Sequence, residues 1–288
     1  MKHKRFAIVG DSVQSQLFVG LECELRHRNF EVVANPLQKW EEENHRLPDD
    51  RASWKYGIRG ETCLNVTVPD WMKVLNSNSQ YQNDRSYEPS SHVAFCFYSH
   101  FRPYPDMVQH KAIAKSNDVA MINYGVHFLG NVAEQMDEFE QSLELLLKAF
   151  HDSGSLLMYR ETSAQHYDMD GGEWNSRLSK QQQDGTLKCV PINGTSDIIK
   201  WRTKMFRNVA NRTGTSIVHS FQSQEGLTNA NSSYEVAFLP FFDWTAKLIT
   251  LKSGVDCTHF CYTPHIYSSI WRHIRIALDR YDRPRINR

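Results

Sequence analysis

The chain has 288 residues, of which 40% are hydrophobic and 23% charged, with 33 Lys and Arg balancing 33 Asp and Glu. That length fits one large domain or two small ones, and zero net charge argues against a non-specific polyanion binder, so no nucleic-acid partner is expected. No apolar run approaches the roughly 18 residues that a membrane span needs, so no span is expected in this chain.

Arg5 to Val9 reads as a short buried strand closed by Gly10, and Ser12 to Arg28 as a helix with Val13, Leu17, Leu21 and Leu25 at fourfold spacing. Glu31 to Ala34 is the next strand, ended by Asn35-Pro36. Residues 38–90 are polar and read as an insertion, partly loop, with one helix around Trp71 to Leu75. His92 to Tyr98 and Asp118 to Asn123 are strands. Val132 to Phe150 is an amphipathic helix with Phe139, Leu143, Leu146, Leu147 and Phe150 along one side. Ser155 to Tyr159 is a strand, Ile198 to Asn211 a helix, Ser216 to His219 a strand, and His265 to Arg280 a closing helix. This alternation predicts an α/β fold, a mostly parallel sheet with helices on both faces. No linker rich in Gly, Pro or Ser divides the chain, so a single domain over 1–288 is expected.

Ligands of such sheets bind beyond the carboxyl ends of the strands. Ser12, Gly125 and Arg160 all follow strand ends and can line one crevice. Ser12 in Gly10-Asp11-Ser12 opens a helix, where free N–H groups stabilise developing negative charge. The same position suits Asp11 or Ser12 as a plain helix cap. Asp256-Cys257-Thr258-His259 supplies an acid and a base, on a loop or helical turn that could present both on one side. A serine, a histidine and a carboxylate are the inventory for an activated hydroxyl nucleophile, although one Asp and one of thirteen His could equally lie on the surface. Gly125, in Asn123-Tyr124-Gly125-Val126-His127, is either a turn glycine or a point of close backbone approach to a substrate oxygen. The segment Arg160-Glu161-Thr162-Ser163-Ala164-Gln165-His166-Tyr167, with Gly171-Gly172-Glu173-Trp174, is a polar loop with the groups that suit a hydroxyl-rich ligand.

The six cysteines are Cys23, Cys63, Cys96, Cys189, Cys257 and Cys261, and N-x-S/T sequons occur at Asn65, Asn193, Asn211 and Asn231. Together they favour an oxidising compartment with disulfides and glycosylation over a cytosolic protein with free thiols. Zinc is not expected, because Cys257 and Cys261 lack a second close pair. The basic Met1-Lys2-His3-Lys4-Arg5 is followed by only Phe6 to Val9 before Gly10-Asp11, too short for a signal-peptide core, so no targeting segment is expected in these residues.

In combination, these segments resemble the PC-esterase family, a branch of the SGNH/GDSL hydrolases that includes the trichome-birefringence-like polysaccharide O-acetyltransferases. Val9-Gly10-Asp11-Ser12-Val13-Gln14-Ser15-Gln16-Leu17-Phe18 is similar to the opening Gly-Asp-Ser block. Asn123-Tyr124-Gly125-Val126-His127 is similar to the Asn-x-Gly-x-His/Trp block, and Arg160 through His166 with Gly172 and Trp174 to the Arg-x-x-Ser-Pro-x-His-Phe block. Asp256-Cys257-Thr258-His259-Phe260-Cys261 is similar to the terminal Asp-Cys-x-His-Trp-Cys. The chain departs from the family at Ser15, where Arg is common, at Ala164, where Pro is usual, and in lacking the plant members' cysteine-bearing extension.

The resemblance implies a three-layer αβα, SGNH-hydrolase-like fold with flavodoxin-like topology. It implies Ser12 as nucleophile, His259 as base and Asp256 as its orienting partner. An oxyanion hole would come from Ser12, Gly125 and Asn123, with Asp11, His127, Arg160, Thr162, His166 and Trp174 supporting or contacting substrate. Without the extension, Cys63 or Cys96 becomes the candidate partner of Cys23, and Cys189 is expected to pair with Cys257 or Cys261. The implied activity is O-acyl, in particular acetyl, transfer from an acyl donor to a carbohydrate or polysaccharide hydroxyl, or hydrolysis of the same ester. No bound cofactor or metal, a monomeric state, and a Golgi-lumenal or extracellular location complete the expectation. A silent carbohydrate-binding protein is the third reading, against which the intact Ser12, Asp256 and His259 argue.

Overall fold

The structure is a computed structural model that describes residues 5–36, 62–67, 92–99, 107–192, 200–219, 234–253, 256–260 and 264–281. The described strands are β1 (Arg5–Gly10), β2 (Glu31–Pro36), β3 (Thr62–Thr67), β4 (His92–Ser99), β5 (Val119–Asn123), β6 (Leu156–Arg160), β7 (Thr215–His219), β8 (Tyr234–Leu239), β9 (Lys252–Ser253) and β10 (Asp256–Phe260). The described helices are α1 (Ser12–His27), α2 (Met107–Ser116), α3 (Ala133–His151), α4 (Ser179–Gln183), α5 (Trp201–Arg212), α6 (Phe242–Thr245) and α7 (Pro264–Tyr281).

Eight strands form one sheet in the order β2-β3-β4-β1-β5-β6-β8-β7. Only β3 runs against the others, pairing antiparallel with both β2 and β4. The inner five, β4-β1-β5-β6-β8, follow the 2-1-3-4-5 order of a flavodoxin-like sheet. The chain leaves β1 toward the β4 side and leaves β5 toward the β6 side. The crevice between the carboxyl ends of β1 and β5 is therefore the topological switch point, where such sheets bind ligands.

A strand buried on both faces must be apolar along its buried length, and β1 is from Phe6 to Gly10. Phe6 and Ile8 point to one face, into a core shared with Val13, Leu17 and Leu21 of α1 and Ile266, Ile270 and Ile274 of α7. Ala7 and Val9 point to the other, against α2, α3 and α5 through Ile113, Phe139, Leu143, Phe150, Phe206 and Val209. The result is the expected three-layer α/β sandwich. Each of these larger side chains contributes roughly 1.5–3 kcal/mol by leaving water, and the stripe of α3 is what commits that helix to the sheet.

Three elements correct the sequence expectation. The segment read as a polar insertion contains β3, an internal strand of the sheet. Tyr234–Leu239 forms β8, whose Val236, Ala237, Phe238 and Leu239 are buried. Asp256 to Phe260 is a strand, β10, pairing with β9 outside the main sheet, and not a loop or helical turn. The helix expected around Trp71 to Leu75 lies outside the described residues.

Two disulfides are present among the described residues. Cys63 joins Cys96 across directly paired positions of β3 and β4, and Cys189 joins Cys257. Cys23 is a free, exposed thiol. Its expected pairing with Cys63 or Cys96 is thus corrected: register places those two opposite each other. Cys189 takes Cys257, while Cys261 lies outside the described residues. Asn65 and Asn211 are exposed on β3 and α5, and Asn193 and Asn231 fall outside the described residues.

Candidate active site

Gly10 ends β1 with a φ of 152°, and a Cβ there would lie 2.2 Å from Asn123 O and 2.6 Å from Gln14 Cγ. Only glycine fits where the chain turns this closely past β5. Asp11 then caps α1, its Oδ1 accepting from Val13 N at 3.0 Å while its Oδ2 faces Val126 N at 3.4 Å. Ser12 follows as the first residue of α1, where a backbone N–H has no acceptor within the helix.

From the far end of the sequence, β10 brings His259 to this point. His259 Nε2 lies 2.6 Å from Ser12 Oγ, and His259 Nδ1 lies 2.6 Å from Asp256 Oδ2. Asp256 Oδ1 also accepts from the Thr258 and His259 N–H groups, each at 3.0 Å. Burial acts to raise the Asp256 pKa, but the hydrogen bonds from the His259 ring and the two N–H groups outweigh it and bring the carboxyl down to about 2. An ionised carboxylate only accepts, so Nδ1 carries the ring proton and Nε2 presents its lone pair to the Ser12 hydroxyl. This arrangement can pass a proton from the hydroxyl to the imidazole while the carboxylate holds the ring.

Behind Ser12, a buried polar knot joins α1, β5 and β6. Arg160 is fully buried; its Nε donates to Gln14 Oε1 at 2.9 Å, Nη2 to Asn123 Oδ1 at 2.9 Å, and Nη1 to Glu161 O at 3.0 Å. Its guanidinium lies 4.6 Å from the centroid of Phe241. Burial draws its pKa down to about 10, with Asp11 the leading group that favours the charge. Asn123 Nδ2 donates to Arg160 O and Thr162 Oγ1 at 2.8 and 3.1 Å. Gly125 packs so tightly on Thr162 that a Cβ would sit 2.2 Å from its Oγ1.

The candidate residues therefore divide. Ser12, His259 and Asp256 come together, Asn123 pairs with Gly10 across the β1–β5 ladder, and the loop through Gly125 reaches Asp11 at Val126 N. Asp11, Arg160 and Thr162, expected at substrate, are buried and bonded to protein groups that frame the crevice. His166 is also buried, with its ring nitrogens 3.2 Å from Val190 O and 3.3 Å from Thr245 O. Burial, followed by the neighbouring Lys252 charge, lowers its pKa. Trp174 packs in a small cluster with Tyr167, Leu178 and Cys257, and His127 is half-buried. No family model, curated protein or solved structure matches the chain.

Four residues not singled out from the sequence hold the site in place. The Gln16 amide, one turn after Ser12, pairs reciprocally with the Phe260 backbone: Nε2 donates to Phe260 O at 3.1 Å and Oε1 faces Phe260 N at 3.4 Å. Helical i, i+4 spacing from Ser12 is the one signal that could have found it. Glu173 accepts from Trp201 Nε1 at 2.6 Å, Gly130 N at 3.0 Å and Arg202 Nη1 at 2.7 Å. Arg202 in turn donates to Gly125 O at 2.6 Å and to Phe128 O, bracing the loop after β5. Lys252, on β9, is the fourth.

Proposed function

We propose that the chain is a Ser-His-Asp dependent O-acyltransferase that moves an acyl group, in particular acetyl, to a carbohydrate hydroxyl. The observation that carries this is the relay of two 2.6 Å contacts from Ser12 through His259 to Asp256 at the switch point of the sheet. In the first half-reaction Ser12 Oγ attacks the acyl carbonyl and its proton passes to His259 Nε2. The oxyanion forms at the α1 N-terminus, with the Ser12 and Gly125 N–H groups as its proposed donors. Collapse expels the donor's leaving group, which takes the proton from His259, and leaves an acyl-serine. The sugar hydroxyl then gives its proton to His259 and attacks, and Ser12 recovers the proton as the ester product departs. Asp256 stays ionised throughout and keeps the ring oriented.

Hydrolysis of the same acyl-serine is the second reading, favoured by the exposure of the His259 side chain, 29% of which is open to solvent. Mass spectrometry of the products formed from an acetyl donor and an oligosaccharide separates the two. Acetylated oligosaccharide is the expected product, and free acetate alone would assign the chain as an esterase. The disulfides and the exposed Asn65 and Asn211 support a Golgi-lumenal or extracellular site of action.

A further inference from the structure

β10 carries both Asp256 and His259, yet it belongs to no main-sheet ladder. Its one strand partner among the described residues is the two-residue β9, which pairs at Asp256 and Phe260 with irregular register between. A short strand of this kind cannot hold a ring to hydrogen-bond precision by its ladder alone. Something else must fix it.

Lys252 of β9 is buried, and its ammonium donates to Thr258 O at 2.7 Å and to Ala164 O at 3.3 Å. It also lies 3.3 Å from the centroid of the Phe260 ring. Thr258 and Phe260 flank His259. Ala164 lies in the loop after β6, and its N–H is anchored on Thr245 Oγ1 at 2.9 Å. The same loop grips Thr258 Oγ1 through Gln165 Nε2 at 2.9 Å and Tyr167 OH at 3.0 Å. Two sides of the strand are thus tied to a scaffold that the main sheet supports.

We propose that Lys252 is a positioning residue for the Asp256–His259 pair, its ammonium tying the Thr258 carbonyl and the Phe260 ring, one on each side of His259, to the loop at Ala164. This rests on the acyl-transfer reading for its functional meaning. A compact cation with three donors suits the site, because two carbonyls and an aromatic face converge on it from different directions. Burial draws the Lys252 pKa down to about 7, with Asp256 pulling it back up. The titratable groups that act on it are Asp256 on β10 and His166 on the loop. The charge on the cross-link is therefore full below neutrality and is lost as pH rises through about 7.

The test compares Lys252→Met and Lys252→Arg with the unaltered chain. Amide hydrogen exchange at Cys257 to Phe260 is expected to quicken in Lys252→Met while β1 and β5 stay protected. Exchange at β10 unchanged from the unaltered chain would overturn the inference whatever the activity. With a chromogenic acetyl ester, kcat should fall about tenfold to a hundredfold, the scale of a misplaced catalytic group, with KM unchanged. Lys252→Arg should restore part of kcat and hold it to higher pH, because guanidinium stays protonated; a Met variant with full kcat would overturn the role. The Arg variant also keeps the test open if the Met variant fails to fold. Ester cleavage that survives Ser12→Ala would remove the acyl-transfer reading instead, and the exchange measurement would still decide whether Lys252 pins the strand.

Discussion

Ser12 Oγ and His259 Nε2 meet at 2.6 Å although 247 residues separate them. The two groups arrive on unrelated supports, one at the buried N-terminus of α1 and the other on a peripheral two-stranded ribbon. Groups that act as one relay lose their function together. Ser12→Ala and His259→Ala should each abolish most ester cleavage, and the double variant should be no worse than either alone. Additive losses in chromogenic-ester assays would show that the two act independently. Circular dichroism should be unchanged in all three, since neither side chain supports the core.

Asp256→Asn keeps the shape of the acid and removes its charge. The amide can donate to the ring, which allows the wrong tautomer at Nε2, and kcat should drop by roughly 10⁴ by analogy with serine-protease behaviour. The pH dependence that this carboxylate gives to stability is confined to acid. The folded pKa of about 2 lies below the ordinary 3.8, so the ionised form contributes stability above about pH 4 that is lost as pH falls toward 2. Urea unfolding between pH 5 and pH 2 should show a shallower decline in the Asn variant. Coincident curves would mean that the carboxylate gains nothing from its partners in the fold.

The division between what could and could not be read from sequence follows the range of the interactions. β1, α1, β5 and α3 were legible because their apolar spacing is local and each faces the core along its length. Ser12 followed from its place after β1. The strand character of Asp256 to Phe260 was not legible, because it depends on Gln16 and Cys189, both far away in sequence. The Cys63–Cys96 pair needed the register of β3 on β4, and β3 itself lay in a stretch whose polar flanks masked Cys63, Leu64 and Val66. β8 was missed because Glu235 interrupts its apolar run at the one end that is partly exposed.

Arg160 tests whether the knot behind Ser12 supports the fold as well as the site. Removing it leaves Gln14 Oε1 and Asn123 Oδ1 buried without their cationic donor, and loses the contact with Phe241. Arg160→Met should therefore cost roughly 3–5 kcal/mol in urea unfolding. Arg160→Lys should recover little of it, because a single ammonium cannot span three acceptors held in the plane of a guanidinium. A Lys variant as stable as the unaltered chain would mean that charge alone, and not the fork geometry, is what the site requires.

His110 gives the sharpest prediction about acid sensitivity away from the crevice. It is buried in α2, with Nδ1 3.5 Å from the Tyr124 hydroxyl, and burial lowers its pKa to about 4 from the ordinary 6.5. The fold therefore holds the ring neutral where the unfolded chain would protonate it. Between these two values the unfolded state binds more protons, so stability is full above about pH 6.5, declines as pH falls toward 4, and levels off below. A shift of that size corresponds to up to ~3 kcal/mol. His110→Phe removes the titration while keeping a ring in the same space. The difference in unfolding free energy between pH 7.5 and pH 4.5 should shrink in the variant by up to that amount. An unchanged difference would mean that the imidazole takes up its proton alike in the folded and unfolded chain, and that the α2–Tyr124 contact tolerates a buried charge.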